Sequence, residues 1–256
     1  MENKPNLTFD EATHSYHADG VKLTSVSALL GVLTKQSLKN TTNERIKEKA
    51  RVNSEAAIEK GKEFHRQAAE YAKRRFTFTK NPTPPENTLV KSAVDKIHDY
   101  LTVQRKIEKG FEKEIFFKGL AIEEPICDVE NNLAGTPDLI YFGESDTVII
   151  DYKTNAQFDP NSFGKFMEPP LDTLPDTSMA AYQMQMNLYA HLVSVWYGVP
   201  IESISAHIVH INDAHGAVIY ENCITPKSRA LTVKLLEWKK RNEIFINNSI
   251  NDTKND

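Results

Sequence analysis

Hydrophobic and polar positions change their spacing along the chain, and each spacing predicts a different kind of element. Near the N-terminus, short extended runs are separated by turn residues, and Ala18-Asp19-Gly20 is typical of a hairpin. Thr24-Ser25 then precedes an apolar segment that reaches Leu33, as expected for a capped helix. The runs predicted to be strands are residues 7–9, 15–17 and 21–23.

The middle of the chain passes from helical to alternating patterns. Residues 43–75 are rich in Glu, Lys, Arg and Ala without proline, and a second helical stretch covers residues 87–109. Beyond Gly110 the apolar positions alternate, which predicts a meander of strands. These strands are expected at residues 112–117, 121–129, 133–142 and 147–152.

The last third of the chain combines a long loop with helices and strands. Four prolines interrupt residues 155–177, so no regular element can span this loop. Helices are predicted at residues 178–197 and 226–246, strands at 205–211 and 217–224, and a polar tail at 247–256. The order of elements predicts an α/β protein.

Composition excludes several classes of protein. Of the 256 residues, 40% are hydrophobic, which is enough for a folded core. No apolar stretch reaches the roughly 18 residues of a membrane span, and the N-terminus is neither a signal nor a transit peptide, so we expect a cytoplasmic protein. Because the two cysteines are distant and form no CxxC, the chain cannot supply a four-cysteine zinc or iron–sulfur site, and both thiols are expected to be buried.

Charge is divided along the chain. Residues 35–113 carry 19 basic and 11 acidic side chains, whereas residues 114–225 carry 3 and 16. A basic segment beside clustered carboxylates suggests that the first binds a polyanion and the second binds cations. Chance scatter of Lys and Glu over solvated helices is the alternative for the basic segment.

Two stretches, Gly135–Ile140 and Ile149–Thr154, carry the most informative chemistry. On adjacent strands Asp138 and Asp151 can converge, and strand alternation places Asp151 and Lys153 on one face. Two such carboxylates repel each other unless a hard cation such as Mg²⁺ or Mn²⁺ lies between them. A metal with an ammonium group nearby would suit phosphodiester hydrolysis. The alternative is a turn aspartate and a simple Asp151–Lys153 ion pair.

Pro137-Asp138 with Asp151-Tyr152-Lys153 matches the signature of the PD-(D/E)xK nuclease superfamily, which the chain resembles. The flanking residues resemble its RecB- and Cas4-like branch, including phage-type and mitochondrial genome maintenance exonucleases. The resemblance implies a restriction-endonuclease-like core, in which a mixed central β-sheet is flanked by helices. It also implies Mg²⁺ as the cofactor, with Mn²⁺ as a substitute, and no iron–sulfur cluster because four cysteines are lacking.

Two further motifs of that branch are present. His65 follows Gly61 by four positions and lies at the centre of an apolar helical stripe. The resemblance implies that His65 is a metal ligand or lies beside the metal, and a core histidine with satisfied hydrogen bonds is the alternative. Gln185 and Tyr189 share one helix face. The resemblance implies that Gln185 orients Lys153 or the attacking water and that Tyr189 lies near the DNA backbone, with ordinary helix packing as the alternative.

The resemblance also implies the remaining roles. Asp138, Asp151 and the backbone carbonyl of Tyr152 would bind metal together with His65, and Lys153 would position or activate the water. Glu114 is an additional acidic candidate, although a solvated strand face accounts for it equally well. The basic helices are expected to guide a DNA strand through Lys60, Lys62, Arg66, Lys73, Arg74 and Arg75.

These inferences predict three parts: an N-terminal hairpin and basic helical region (1–110), a nuclease core (111–246) and a flexible tail (247–256). The predicted function is a divalent-metal-dependent DNA exonuclease of recombination, repair or phage DNA metabolism, located in the host cytoplasm if phage-encoded. The expected partners are a DNA strand end and a recombination or single-strand annealing or binding protein, with no membrane. Two alternatives stay open: a structure-specific or restriction-like endonuclease, and a catalytically silent DNA-binding or assembly subunit.

Overall fold

The computed structural model describes residues 4–34, 44–77, 82–104, 119–155, 162, 164–214 and 216–243. The strands in these ranges are β1 (Leu7–Asp10), β2 (Ser15–Ala18), β3 (Val21–Ser25), β4 (Gly119–Ile122), β5 (Ile126–Asp128), β6 (Leu133–Gly135), β7 (Leu139–Phe142), β8 (Thr147–Lys153), β9 (Ile204–Asn212) and β10 (Gly216–Tyr220). The α-helices are α1 (Val26–Leu33), α2 (Glu44–Thr77), α3 (Thr88–Asp99), α4 (Ser178–Tyr197) and α5 (Pro226–Arg241).

Two mixed sheets organise the strands. The first has the order β1-β2-β3-β6-β5 and the second the order β10-β9-β8-β7-β4. Each contains one parallel pair, β3 with β6 and β8 with β9, while the other pairs are antiparallel. Mixed sheets flanked by helices confirm the predicted α/β fold class.

Strand β8 lies at the centre of the second sheet and is buried on both faces. Ile149 packs in a core with residues of α1, α4 and α5, whereas Val148 and Ile150 pack in a second core with α2 and α3. A nearly continuous apolar run is typical of a strand covered on both sides. Because side chains alternate along a strand, Asp151 and Lys153 share the face of Ile149.

Side-chain caps fix where the helices begin. Ser25 Oγ accepts a hydrogen bond from the backbone N–H of Ala28 at 3.1 Å, which confirms the predicted cap of α1. Thr177 Oγ1 accepts from the N–H of Ala180 at 3.2 Å and caps α4. Thr225 forms a capping box at the start of α5. These bonds satisfy N–H groups that a first helical turn leaves unpaired.

Two runs predicted as single strands are each divided in two. Residues 121–129 separate into the end of β4 and β5, and residues 133–142 separate into β6 and β7. The breaks contain Pro125 and Pro137, which have no N–H to donate to a neighbouring strand. The division determines the sheet topology, because β5 and β6 join the first sheet while β4 and β7 join the second.

The remaining differences concern element ends. The predicted strand at 112–117 and the tail at 247–256 lie outside the described residues, and α5 ends at Arg241 rather than near residue 246. In the described part of the loop at 155–177 no strand or helix forms, apart from an isolated bridge between Phe166 and Pro175. Cys127 and Cys223 are buried thiols, as predicted. None of the described helices combines the length and apolar character needed to cross a membrane.

The N-terminal hairpin shares a sheet with strands of the predicted core. Thr24 of β3 lies beside Leu133 of β6 in a parallel pair. The hydroxyl of Tyr16, on β2, lies 2.9 Å from Thr136 Oγ1, which follows β6. The predicted domain boundary near residue 110 falls outside the described residues, and the division into domains stays a prediction.

Candidate metal and catalytic centre

The adjacent ends of β7 and β8 bring the two aspartates of the motif together. Leu139 pairs with Ile150, so Asp138 and Asp151 follow at the same edge of the antiparallel pair. The backbone N–H of Tyr152 donates to Asp138 Oδ2 at 2.5 Å. Both aspartates are buried, and both line one cavity of about 380 Å³ that opens to solvent.

Lys153 is held in this centre from three sides. Its Nζ lies 2.5 Å from Asp151 Oδ2 and donates to Gln185 Oε1 at 2.8 Å. Nζ also lies 4.6 Å from the centre of the Tyr182 ring, within the range of a cation–π contact. Tyr182, one helical turn before Gln185 on α4, has no role in the sequence motif. Its position could have been inferred from the shared helix face.

Gln185 and Tyr189 form one chain of contacts on α4. The Gln185 Nε2 group donates to the hydroxyl of Tyr189 at 2.9 Å, which leaves Oε1 to accept from Lys153. The Tyr189 ring packs on Gly135, where an added Cβ would lie 2.6 Å from Cε1 of the ring. Gly135 is therefore needed for the close approach of α4 to β6.

His65 reaches the aspartates from α2. Its Nδ1 lies 2.8 Å from Asp138 Oδ1. Phe64 and Ala68 are buried on the same helix and hold it against the second sheet. A Cβ added to Gly61 would lie 3.3 Å from Thr154 Oγ1, so glycine at this position permits a close approach to the chain that follows β8.

Glu123 belongs to this centre, although no sequence motif singles it out. It follows β4 with a left-handed backbone φ of 51°, and its N–H donates to the carbonyl of Asp138 at 3.1 Å. His65, Glu123 and Asp138 each offer a ligand atom within 4.8 Å of the others. Glu114, the additional acidic candidate from the sequence, lies outside the described residues. The sequence signal for Glu123 is an acidic residue directly after the strand that pairs with β7. This signal can be recognised only when the strand order is known.

Electrostatics of the centre reflect closely spaced acids. Burial and, to a smaller extent, the neighbouring Asp138 carboxylate raise the pKa of Glu123 to about 8. Burial also raises the pKa of Asp151, which Asp138 reinforces and the Lys153 ammonium opposes. Burial raises the pKa of Asp138, but the charge and hydrogen bond of His65 lower it below its ordinary value. Asp138, Asp151 and Glu123 together offer carboxylate oxygens within one small space, which is a donor set that suits a hard divalent cation.

The basic residues of α2 are mostly paired with acids. Lys60 lies 3.4 Å from Asp213, Lys62 lies 3.0 Å from Glu59, and Arg75 lies 3.1 Å from Asp95. Arg66 contacts Glu63 at 2.6 Å and Glu70 at 2.7 Å. Lys73 and Arg74 are exposed. Among the described residues, the lining of the cavity includes none of these six side chains.

Comparisons with known proteins give a family and several similar solved structures. The family model described as the PD-(D/E)XK nuclease superfamily matches residues 28–243. A crystal structure described as a "Putative exonuclease" from Eubacterium rectale is 11% identical over 89% of this chain and 82% of its own, with a TM-score of 0.40. LHK-Exo in complex with dAMP is 15% identical over 91% of this chain and 94% of its own, with a TM-score of 0.27. A comparison with curated proteins returns no match.

Proposed function

The chain belongs to the PD-(D/E)XK nuclease superfamily, and from this premise we propose that it is a divalent-metal-dependent DNA exonuclease. The observation that carries the proposal is the meeting of Asp138, Asp151 and Lys153 with His65 and Glu123 around one open cavity. The finer resemblance to phage-type and mitochondrial exonucleases stays a prediction.

Five groups would hold the metal. They are the carboxylates of Asp138, Asp151 and Glu123, the backbone carbonyl of Tyr152 and the imidazole of His65. Most of these ligands are oxygens, which suits Mg²⁺, and Mn²⁺ is expected to substitute. A cation held there would polarise a phosphoryl oxygen and lower the pKa of an attacking water.

Lys153 acts as a fixed positive charge beside the reacting phosphate. Burial would lower its pKa, but the Asp151 and Asp138 carboxylates raise it above the ordinary value, so the group is an ammonium at neutral pH. An ammonium has three N–H donors. Asp151 and Gln185 engage two of them. The third is left to place the water or to stabilise charge on the phosphoryl oxygens.

The reaction is hydrolysis of a phosphodiester. The attacking water releases a proton to solvent as its oxygen bonds to phosphorus, the bond from phosphorus to the sugar oxygen breaks, and the leaving sugar alkoxide takes up a proton from solvent. Gln185 keeps Lys153 in place through Oε1, and Tyr189 fixes the amide by accepting from Nε2. An in-line attack needs both the water and the phosphate held rigidly, which this chain of contacts supplies.

We place the DNA strand along α2 on the way to the cavity. Lys60, Lys62, Arg66 and Arg75 would exchange their acidic partners for phosphates, and Lys73 and Arg74 extend the same basic segment. Recombination, repair and phage DNA metabolism all supply linear ends, and a single-strand annealing or binding protein is the protein partner that such a reaction favours.

The test is degradation of end-labelled linear and covalently closed circular DNA, single- and double-stranded, with Mg²⁺, Mn²⁺ or chelator. We expect metal-dependent release of mononucleotides from linear DNA only. Cleavage of circles would favour an endonuclease, and binding without cleavage would favour a silent subunit.

Substitution of Lys153 tests whether this cavity is the site of hydrolysis. Lys153→Ala should lower kcat by at least about 10²-fold, because among the described residues Lys153 is the one lysine that lines the cavity. The affinity for DNA in Ca²⁺ should stay nearly unchanged. Lys234→Ala, an exposed lysine of α5, is the matched control and should cleave normally. Equal activity of both variants would contradict the assignment.

A further inference from the structure

The turn between β1 and β2 forms a wall of the cavity that contains the acidic centre. Phe9 and His14 of this hairpin line the cavity together with Asp138 and Asp151. The hairpin belongs to the first sheet, whereas Asp151 belongs to the second. The two sheets therefore present different side chains to one space, with metal-binding chemistry on one side and aromatic rings on the other.

Hydrogen bonds within the turn hold its shape. Asp10 Oδ1 accepts from the N–H of Ala12 at 2.9 Å, and Asp10 Oδ2 accepts from the hydroxyl of Thr13 at 2.6 Å. Thr13 Oγ1 also lies 2.7 Å from Ser15 Oγ. A turn that is already ordered loses little conformational entropy when a ligand contacts it.

The hairpin is also fixed relative to the acidic centre. The Tyr16 hydroxyl lies 2.9 Å from Thr136 Oγ1, and Thr136 precedes Asp138 by two residues. A nucleotide whose phosphate lies at Asp138 would therefore meet the hairpin at a defined position.

Three aromatic side chains form the surface of this wall. The Phe9 and His14 rings lie edge to face, with centroids 5.1 Å apart and an angle of 83°. Tyr16 supports Phe9, with centroids 4.7 Å apart, and is itself buried. Phe9 is half-buried and His14 is exposed. Such rings suit a flat π-system, and every nucleobase offers one regardless of sequence.

We propose that Phe9 and His14 form a stacking subsite for the base of the terminal nucleotide, which makes an unpaired strand end the preferred substrate. This inference rests on the proposed nuclease function. Charge favours a base over a phosphate here, because Glu11 of the same hairpin lines the cavity and would repel a second anion. The phosphate is directed to Lys153, and the uncharged base meets the hairpin. A base must leave its duplex partner before it can stack in this way.

The experiment varies both the aromatic rings of the hairpin and the terminal base of the substrate. Single-stranded oligonucleotides carry either adenine or an abasic residue at the terminal position, placed in turn at each end. We expect wild-type kcat/KM to be about tenfold higher for the adenine-terminated substrate, as one stacked base allows. The double variant F9L/H14A should lose that advantage and leave the abasic rate unchanged. Val21→Ala, at the other end of the hairpin and 65% exposed, is the control and should behave as wild type.

Two outcomes overturn the inference: an equal loss on both substrates, or no loss on either. His14→Ala alone, in an exposed turn, provides a second variant if the double variant melts at a lower temperature. Failure of the proposed function is recognised separately, as absence of hydrolysis on every substrate. In that case quenching of a terminal 2-aminopurine in Ca²⁺ still decides the matter: quenching that F9L/H14A abolishes supports the subsite, and quenching that it leaves intact excludes it.

Discussion

Single residues of the centre differ in how visible they are in the sequence. Asp138, Asp151 and Lys153 stand out because few roles besides metal-assisted hydrolysis require these residue types at this spacing, and the structure brings them to one cavity. Glu123 does not stand out, because its place depends on β4 pairing with β7 and on a left-handed backbone. A local pattern carries neither piece of information.

Glu123 is the first residue to test. Glu123→Gln removes a charged ligand but keeps the size of the side chain, so we expect Mn²⁺ affinity to fall by at least about tenfold in a calorimetric titration. Glu124→Gln is the matched control, because Glu124 interacts with Tyr197 instead. Unchanged Mn²⁺ binding in Glu123→Gln would remove this residue from the metal site.

Gly135 offers a test of packing beside the centre. Gly135→Ala places a methyl group 2.6 Å from the Tyr189 ring, so the free energy of unfolding should fall by about 1–3 kcal/mol. Gly31→Ala is the control, since nothing lies within 4 Å of its added Cβ, and helix propensity should raise stability by up to about 1 kcal/mol. Urea unfolding measures both, and a loss of equal size in the two variants would contradict the packing argument.

At the scale of elements, local patterns predict helices better than strands. The expected bounds of α4 agree with Ser178–Tyr197, because a long periodic run and the Thr177 cap act within the segment itself. The prediction of continuous strands at 121–129 and 133–142 is wrong, because their division depends on which distant strands pair with each half. Sequence could therefore predict the fold class and most of the centre, but not the membership of each sheet.

The contact between β5 and α4 gives a prediction about pH. Asp128 is buried, and its Oδ2 lies 2.7 Å from His191 Nε2. Burial raises the pKa of Asp128, but hydrogen bonds from His191 and Asn131 outweigh it and lower the pKa to about 2. A carboxylate with a lowered folded pKa adds stability above pH ~4, and this contribution is lost as the pH falls towards 2.

Asp128→Asn should therefore lower the free energy of unfolding by about 2 kcal/mol near pH 6, with a difference from wild type that shrinks between pH 4 and 2. Urea titrations across this range provide the measurement. Asp172→Asn, at an exposed position, should follow the wild-type curve. Parallel curves for wild type and Asp128→Asn would show that the charge of the Asp128 carboxylate does not contribute.

On the scale of the whole molecule, the basic segment and the acidic centre are separate surfaces. If α2 binds phosphates, Arg74→Ala should lower the slope of log affinity against log salt by about one, because Arg74 is exposed near the end of this helix. Arg66→Ala should lower it less, since two glutamates already neutralise this side chain. Fluorescence anisotropy with DNA in Ca²⁺ measures the slopes, and identical slopes for wild type and Arg74→Ala would place the strand elsewhere.

The short connection Thr136-Pro137-Asp138 links β6 of one sheet to β7 of the other. Asp138 therefore lies where the chain passes from one sheet to the other, and its partners His65 and Asp151 lie on different elements. In a nascent or partly unfolded chain these groups lie apart, so we expect no metal site and no catalysis there. If the chain is a nuclease, activity regained on refolding should therefore never precede the packing of the two sheets against each other.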